Sequence, residues 1–147
     1  MSVEMATEAP IIYASPEQRR ARALLNNSLL ERALARVSVF SLGETMEYVS
    51  GNTRLLRRLS ESLDFSGVSE LSPQQTSAYN AITDPRNIEK AMPAIAFELN
   101  RREANFQKRC GKVYGHLGVR SREHALVFRA AHEFANAQNL ALSLEVV

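Results

Sequence analysis

The residues of this chain that could do chemistry are mostly cations. Eight basic side chains stand between Arg101 and Arg129: Arg101, Arg102, Lys108, Arg109, Lys112, Arg120, Arg122 and Arg129. Only Glu103 and Glu123 oppose them, so eight against two leaves a local excess of six positive charges. The whole 147-residue chain carries a net charge of +2, and residues 1–69 balance eight basic groups with eight acidic ones. The basicity is therefore concentrated in one stretch. A concentrated basic stripe is the electrostatic footprint of phosphate contact, although a solvated helix face uses the same residues more simply.

Other reactive types lead nowhere. His116, His124 and His132 are spaced eight apart, which on a helix puts neighbours about 80° apart and well separated along the axis, so they cannot share a metal. Cys110 is the single cysteine. It has no recognisable His or Asp partner and reads as a small core residue, and no internal disulfide can form. There is no glycine-rich phosphate loop and no carboxylate pair with a catalytic signature. The expectation is a protein that is not an enzyme and needs no cofactor or metal. Apolar residues make up 45% and charged residues 23% of the chain, enough to bury a core in one compact domain or a small domain with a helical appendage. No apolar run approaches the ~20 residues of a membrane span. Met1–Ala14 carries Glu4 and Glu8 and has no basic start, unlike a signal peptide. Together these features predict a cytoplasmic protein without a membrane partner.

The elements that must position the basic stripe are helical. Ser15-Pro16-Glu17-Gln18 reads as a cap, a first-turn proline and a capping box. Leu24, Leu25, Leu29, Leu30, Ala33, Leu34 and Val37 follow at helical spacing and predict a helix over about 16–37, its stripe either core or a dimer face, with its width favouring packing inside a helical domain. Ser41-Leu-Gly-Glu44 opens a short second helix. Asn52 or Thr53 caps a third, carrying Leu55, Leu56, Leu59 and Leu63. Asp64–Ser69 reads as a linker. Ser72-Pro73 starts a fourth helix. Residues 88–99 read as helical, with Pro93 marking either a kink or the true start. Asn100 is placed to cap the next helix, from Arg101 or Arg102 to about His116. Gly118 ends it, and Ser121 starts a last helix reaching about Leu142. Strand patterns are absent. The division expected is a flexible tail (1–14), a helical dimerisation or partner-binding region (15–66) and a second helical domain (70–142).

Within that second domain the order of residues carries a resemblance. Leu71-Ser72-Pro73 is followed by Ile95-Ala96 and Leu99. Asn105, Phe106, Arg109, Cys110 and Val113 come next, then Leu117-Gly118-Val119-Arg120-Ser121-Arg122, with Ala125 in register. The pattern resembles the helix-turn-helix of LuxR/NarL-type (GerE-like) transcription regulators over residues 71–135. The family usually opens with Leu-Thr-Pro-x-Glu and closes with Lys-Leu-Gly-Val-x-(Ser/Asn)-Arg-x-x-Ala. There are departures. About four extra residues lie around Asp84–Ile88, the usual recognition-helix His is Arg109, and Gly111 and Gly115 interrupt that helix. The resemblance implies an all-α protein, a helical N-terminal region followed by a four-helix LuxR-type helix-turn-helix, acting as a DNA-binding transcription regulator and plausibly a homodimer. Phe106, Cys110, Val113 and Leu117 share one inward face. The outer face then offers Asn105, Gln107, Lys108, Arg109 and Lys112 to a DNA groove, with Arg101, Arg102 and Arg120 toward phosphates and Arg122 in a structural or phosphate role. The alternative is a protein-binding regulator, an antiactivator or co-regulator that uses the same scaffold on a transcription factor or RNA polymerase.

Overall fold

The computed structural model describes residues 10–35 and 41–146. Val37, expected near the end of the first helix, and residues 1–9 of the expected tail lie outside the described residues. Within them the regular structure is entirely helical: α1 (Pro16–Leu34), α2 (Leu42–Ser50), α3 (Thr53–Ser62), α4 (Pro73–Thr83), α5 (Met92–Glu98), α6 (Glu103–Leu117) and α7 (Arg122–Val146). Two 3₁₀ turns, Ser66–Glu70 and Pro85–Asn87, join them. The protein is all-α.

Local chemistry fixes most of the helix starts. The Ser15 hydroxyl accepts from the Gln18 N–H at 3.1 Å, while the Gln18 side chain accepts from the Ser15 N–H at 2.8 Å. Ser72 and Gln75 repeat that reciprocal box at α4. Asn52 caps α3 through the Leu55 N–H. These caps satisfy amide donors that have no partner inside the helix. Pro93 lies in the first turn of α5, where its missing N–H costs nothing. The scaffold segment is thus a short helix beginning at Met92, and residues 88–91 are not helical. Asn100 does not cap α6. It follows α5 at φ 59°, a left-handed conformation that Asn tolerates better than most residues. Arg102 takes the N-cap position of α6 without a side-chain cap.

The inward face of α1 differs from the leucine stripe expected. Leu24 is 76% and Leu25 44% exposed, whereas Arg22, Asn26 and Asn27 are buried with Leu30 and Leu34. The reason lies at the other end of the chain. The last turn of α6 ends in buried surroundings, where its carbonyls have no intrahelical donors. Arg22 Nη1 donates to the His116 carbonyl at 2.5 Å, and Asn26 Nδ2 donates to the Leu117 carbonyl at 2.9 Å. Asn26 also exchanges hydrogen bonds with the backbone of Asp64. Glu70, just past the stretch read as a linker, holds Arg22 at 2.6 Å and His116 Nδ1 at 3.1 Å. Burial alone would raise the Glu70 pKa. Hydrogen bonds from Arg22, His116 and the Ala14 N–H outweigh it and hold the carboxyl below its ordinary value.

One core joins the two halves of the chain. It contains Leu30 and Leu34 of α1, Val49 of α2, Leu56 and Leu59 of α3, Val113 and Leu117 of α6, and Val127, Phe128 and Ala131 of α7. Phe65 packs edge-on against Phe128 at 5.1 Å. A smaller cluster gathers Ala78 and Ile82 of α4, Ile95 and Ala96 of α5, and Phe106 and Cys110 of α6. Gly118 turns the chain from α6 into α7 at φ 77°, as glycine readily does. A Cβ there would also sit 3.1–3.2 Å from the backbone of Arg22 and Ala23, so α1 lies directly across the α6–α7 turn. Beyond that body α7 continues alone. Residues 136–144 are all exposed, Leu140, Leu142 and Leu144 among them.

Candidate nucleic-acid interface

The helix that carries the site is α6, and its two faces separate cleanly. Phe106, Cys110, Val113 and Leu117 are buried at intervals of four, three and four residues, the spacing of a single helix face. That register fixes what points outward. Asn105, Gln107, Lys108, Gly111 and Lys112 are exposed, and Arg109 is half-buried. Gly111 faces open space, with nothing within 4 Å of where a Cβ would stand.

Asn105, Lys108, Arg109 and Lys112 line one shallow recess of about 270 Å³ together with Ser72, Gln74 and Gln75 at the start of α4. Arg109 Nη2 reaches Gln74 Oε1 at 3.4 Å. The N-terminal end of α4 adds its positive dipole end to the same place. No carboxylate lines the recess. Lys108, Arg109 and Lys112 enter no salt bridge among the described residues. Gln107 lies just outside the recess, and its amide donates to Glu103 at 3.2 Å. Arg101 and Arg102 are exposed on the connection from α5. Seven residues of the expected site are thus on α6 or immediately before it, and four of them share one concavity. Such a surface suits an extended polyanion, which gains from several cations in a row.

Two expected residues are placed elsewhere. Arg120 is exposed but lies past the far end of α6, which is itself roughly 18 Å along the axis from Asn105 by the rise of the helix, and pairs with Glu31 of α1. For Arg122, expected in a structural or phosphate role, the contacts seen are structural ones. Its guanidinium donates to the carbonyls of Ile82 at 2.9 Å, Lys90 at 2.6 Å and Asn87 at 2.5 Å. Its donors are committed to the chain's own backbone, tying the irregular segment between α4 and α5 to α7. Arg129, part of the basic stripe, is also engaged: it donates to Thr83 Oγ1 at 2.6 Å and lies 5.8 Å from the Tyr79 ring centre. The cations free to meet a ligand are fewer than the stripe suggests, and they cluster toward the start of α6.

Cys110 lies against Phe106 and Ile82 in the smaller core. Burial pushes its thiol up to about 11, so at neutral pH it is a packed thiol rather than a thiolate nucleophile. Burial also lowers the pKa of His124 and His132. Among the described residues no group of His, Cys, Asp and Glu side chains is arranged to hold a metal ion, and no helix is long and apolar enough to cross a membrane. The polar network that locks α1 to α6, Arg22, Glu70 and Asn26, has no counterpart in the sequence reading. Each member looks locally like an ordinary surface residue, and only the unpaired carbonyls at the end of α6 call for them. Comparison of the chain with protein-family models, with curated proteins and with solved structures finds no match.

Proposed function

We propose that this chain is a transcription regulator that binds double-stranded DNA through a divergent LuxR/NarL-type helix-turn-helix, with α5 as scaffold and α6 as recognition helix. The observation that carries the reading is the recess at the start of α6, where Asn105, Lys108, Arg109 and Lys112 meet the N-terminal end of α4 with no carboxylate among them. On this reading Asn105, Gln107, Lys108 and Lys112 face base edges while Arg101 and Arg102 hold phosphates. Arg120, beyond the other end of α6, and Arg122, bound to the segment between α4 and α5, lie outside this recess. The exposed end of α7, with Ala137, Leu140, Ala141 and Leu144 at helical spacing, is the proposed homodimer contact. It would set two α6 helices on successive half-sites. The proposed compartment is the cytoplasm.

The test is fluorescence anisotropy with the full chain and random-sequence duplex DNA at low and moderate salt. Binding that falls steeply with salt is expected. Arg102→Ala should weaken binding on all sequences and reduce the salt slope by about one, whereas Lys108→Ala should chiefly relax sequence preference. Unchanged binding in both variants would remove this surface. A second reading, a protein-directed antiactivator or co-regulator acting on a transcription factor or RNA polymerase, is favoured by Gly111 in the middle of α6 and Gly115 in its last turn. Both weaken a helix that would have to read bases. Absence of DNA binding at low salt would move the case to that reading.

A further inference from the structure

A second cationic feature lies in the N-terminal half of the chain, and it shares no residue with the recess on α6. Between α1 and α3 runs a groove of about 380 Å³. Leu29 and Ala33 of α1 and Leu55 and Leu59 of α3 form its apolar lining, with Tyr48 of α2 beside them. Arg32 stands on the α1 wall, and Arg54 and Arg58, one helical turn apart, stand on the α3 wall. All three arginines are exposed. None makes a salt bridge or side-chain hydrogen bond among the described residues, and no carboxylate lines the groove. Arg54 and Arg58 are like charges at i and i+4, a placement that works against the isolated helix, and nothing among the described residues offsets it.

We infer that this groove docks an acidic amphipathic helix of a partner protein. Complementarity selects that occupant. Apolar side chains spaced three and four apart would lie on Leu29, Ala33 and Leu55, and flanking Glu or Asp would meet Arg32 on one wall and Arg54 and Arg58 on the other. Guanidinium–carboxylate pairs of this kind are short, directional and often bidentate. A phosphate backbone would engage the arginines and leave the apolar lining uncovered. A purely apolar helix would fill the lining and strand three cations at its rim. The groove thus gives the chain a protein-binding surface separate from α6, whatever α6 binds.

The experiment uses the full chain and a fluorescein-labelled synthetic helix of roughly sixteen residues, long enough to hold helical structure, with Leu at every third or fourth position and Glu at the flanks. Its control carries Gln in place of Glu. The expected result is binding of the Glu peptide that weakens with salt, with the Gln peptide at least about tenfold weaker. Arg58→Glu and Arg32→Glu, on opposite walls, should each reduce binding by about tenfold. Arg57→Glu, exposed on α3 but outside the groove, makes the same change in net charge and should leave binding nearly unchanged. Far-UV circular dichroism checks that these exposed substitutions leave the fold intact. Failure of the Glu peptide to bind, equal binding of the Gln peptide, or an equal loss in Arg57→Glu would overturn the inference. Displacement of the peptide by duplex DNA would overturn it too, assigning the groove to nucleic acid instead.

Discussion

Replacing Gly111 with Ala should stabilise this protein, and the structure allows the gain to be worked out. Gly111 is the ninth of fifteen residues in α6, an interior position where Gly costs about 0.8–1.0 kcal/mol relative to Ala. The usual offsets are absent. Its φ is not positive, and an added Cβ would meet nothing within 4 Å, so neither backbone strain nor overlap subtracts from the gain. Gly115, one turn on, has only Arg19 Nη2 at 3.7 Å from its would-be Cβ, an ordinary contact. Gly111→Ala should therefore raise stability by about 1 kcal/mol, and Gly115→Ala, in the last turn of the helix, by less. For a chain of this size the Gly111→Ala gain is a rise in Tm of about 3–4 °C. Thermal unfolding followed by circular dichroism at 222 nm, with urea titrations to obtain the free energy, measures it directly. An unchanged or lowered Tm in Gly111→Ala would refute the reasoning, because it would mean that the outer face of α6 is covered in the free protein. The same variants then probe function. If α6 approaches its ligand closely, the more stable protein should bind DNA more weakly.

Other outcomes follow from groups fixed by the fold. Arg122→Met removes three charge-assisted hydrogen bonds to main-chain carbonyls and should cost about 3–5 kcal/mol, read as a lower urea midpoint with its slope preserved. Glu70 has a folded pKa below its ordinary value. Its contribution to stability is therefore complete above the unfolded carboxyl pKa and is lost as pH falls through the folded one. Glu70→Gln should flatten the acid limb of the stability–pH curve, and an unaltered limb would exclude this carboxylate as its cause. Cys110, buried and pushed up to about 11, should react with Ellman's reagent only slowly in the native protein and rapidly in denaturant. Rapid native labelling would show that the smaller core opens.

Much of the fold is legible in the sequence where it depends on neighbours. Ser15 with Gln18, Ser72 with Gln75, and Asn52 each lie within three residues of the amide they satisfy. Gly118 marks its turn by what only glycine does easily. The inward register of α6 follows from the period of Phe106, Cys110, Val113 and Leu117. What escapes sequence reading depends on distant partners. Arg22 and Asn26 look like the polar side of a leucine-rich helix until the carbonyls of His116 and Leu117, more than ninety positions away, are brought beneath them. Arg120 and Arg122 stand two residues apart in one basic block. One faces solvent and Glu31, and the other turns inward to three carbonyls. Charge counting treats them alike. Nor did the pattern of α3 disclose that Arg54 and Arg58 share a groove with Arg32, because that juxtaposition belongs to the packing of α1 on α3.

The contact of α1 with the α6–α7 turn has a consequence for how the protein comes into being. Asn26 and Leu117 are 91 positions apart, and Leu30 and Leu34 share a core with Val127 and Phe128. On a translating ribosome α1 emerges before these partners. At synthesis rates of about 5–20 residues per second, roughly ninety residues correspond to some 5–20 s of waiting. Through that interval the leucines of α1 and α3 have only each other to cover them. Emergence of α6 and α7, rather than growth of the first helices, is thus the step that lets this core close.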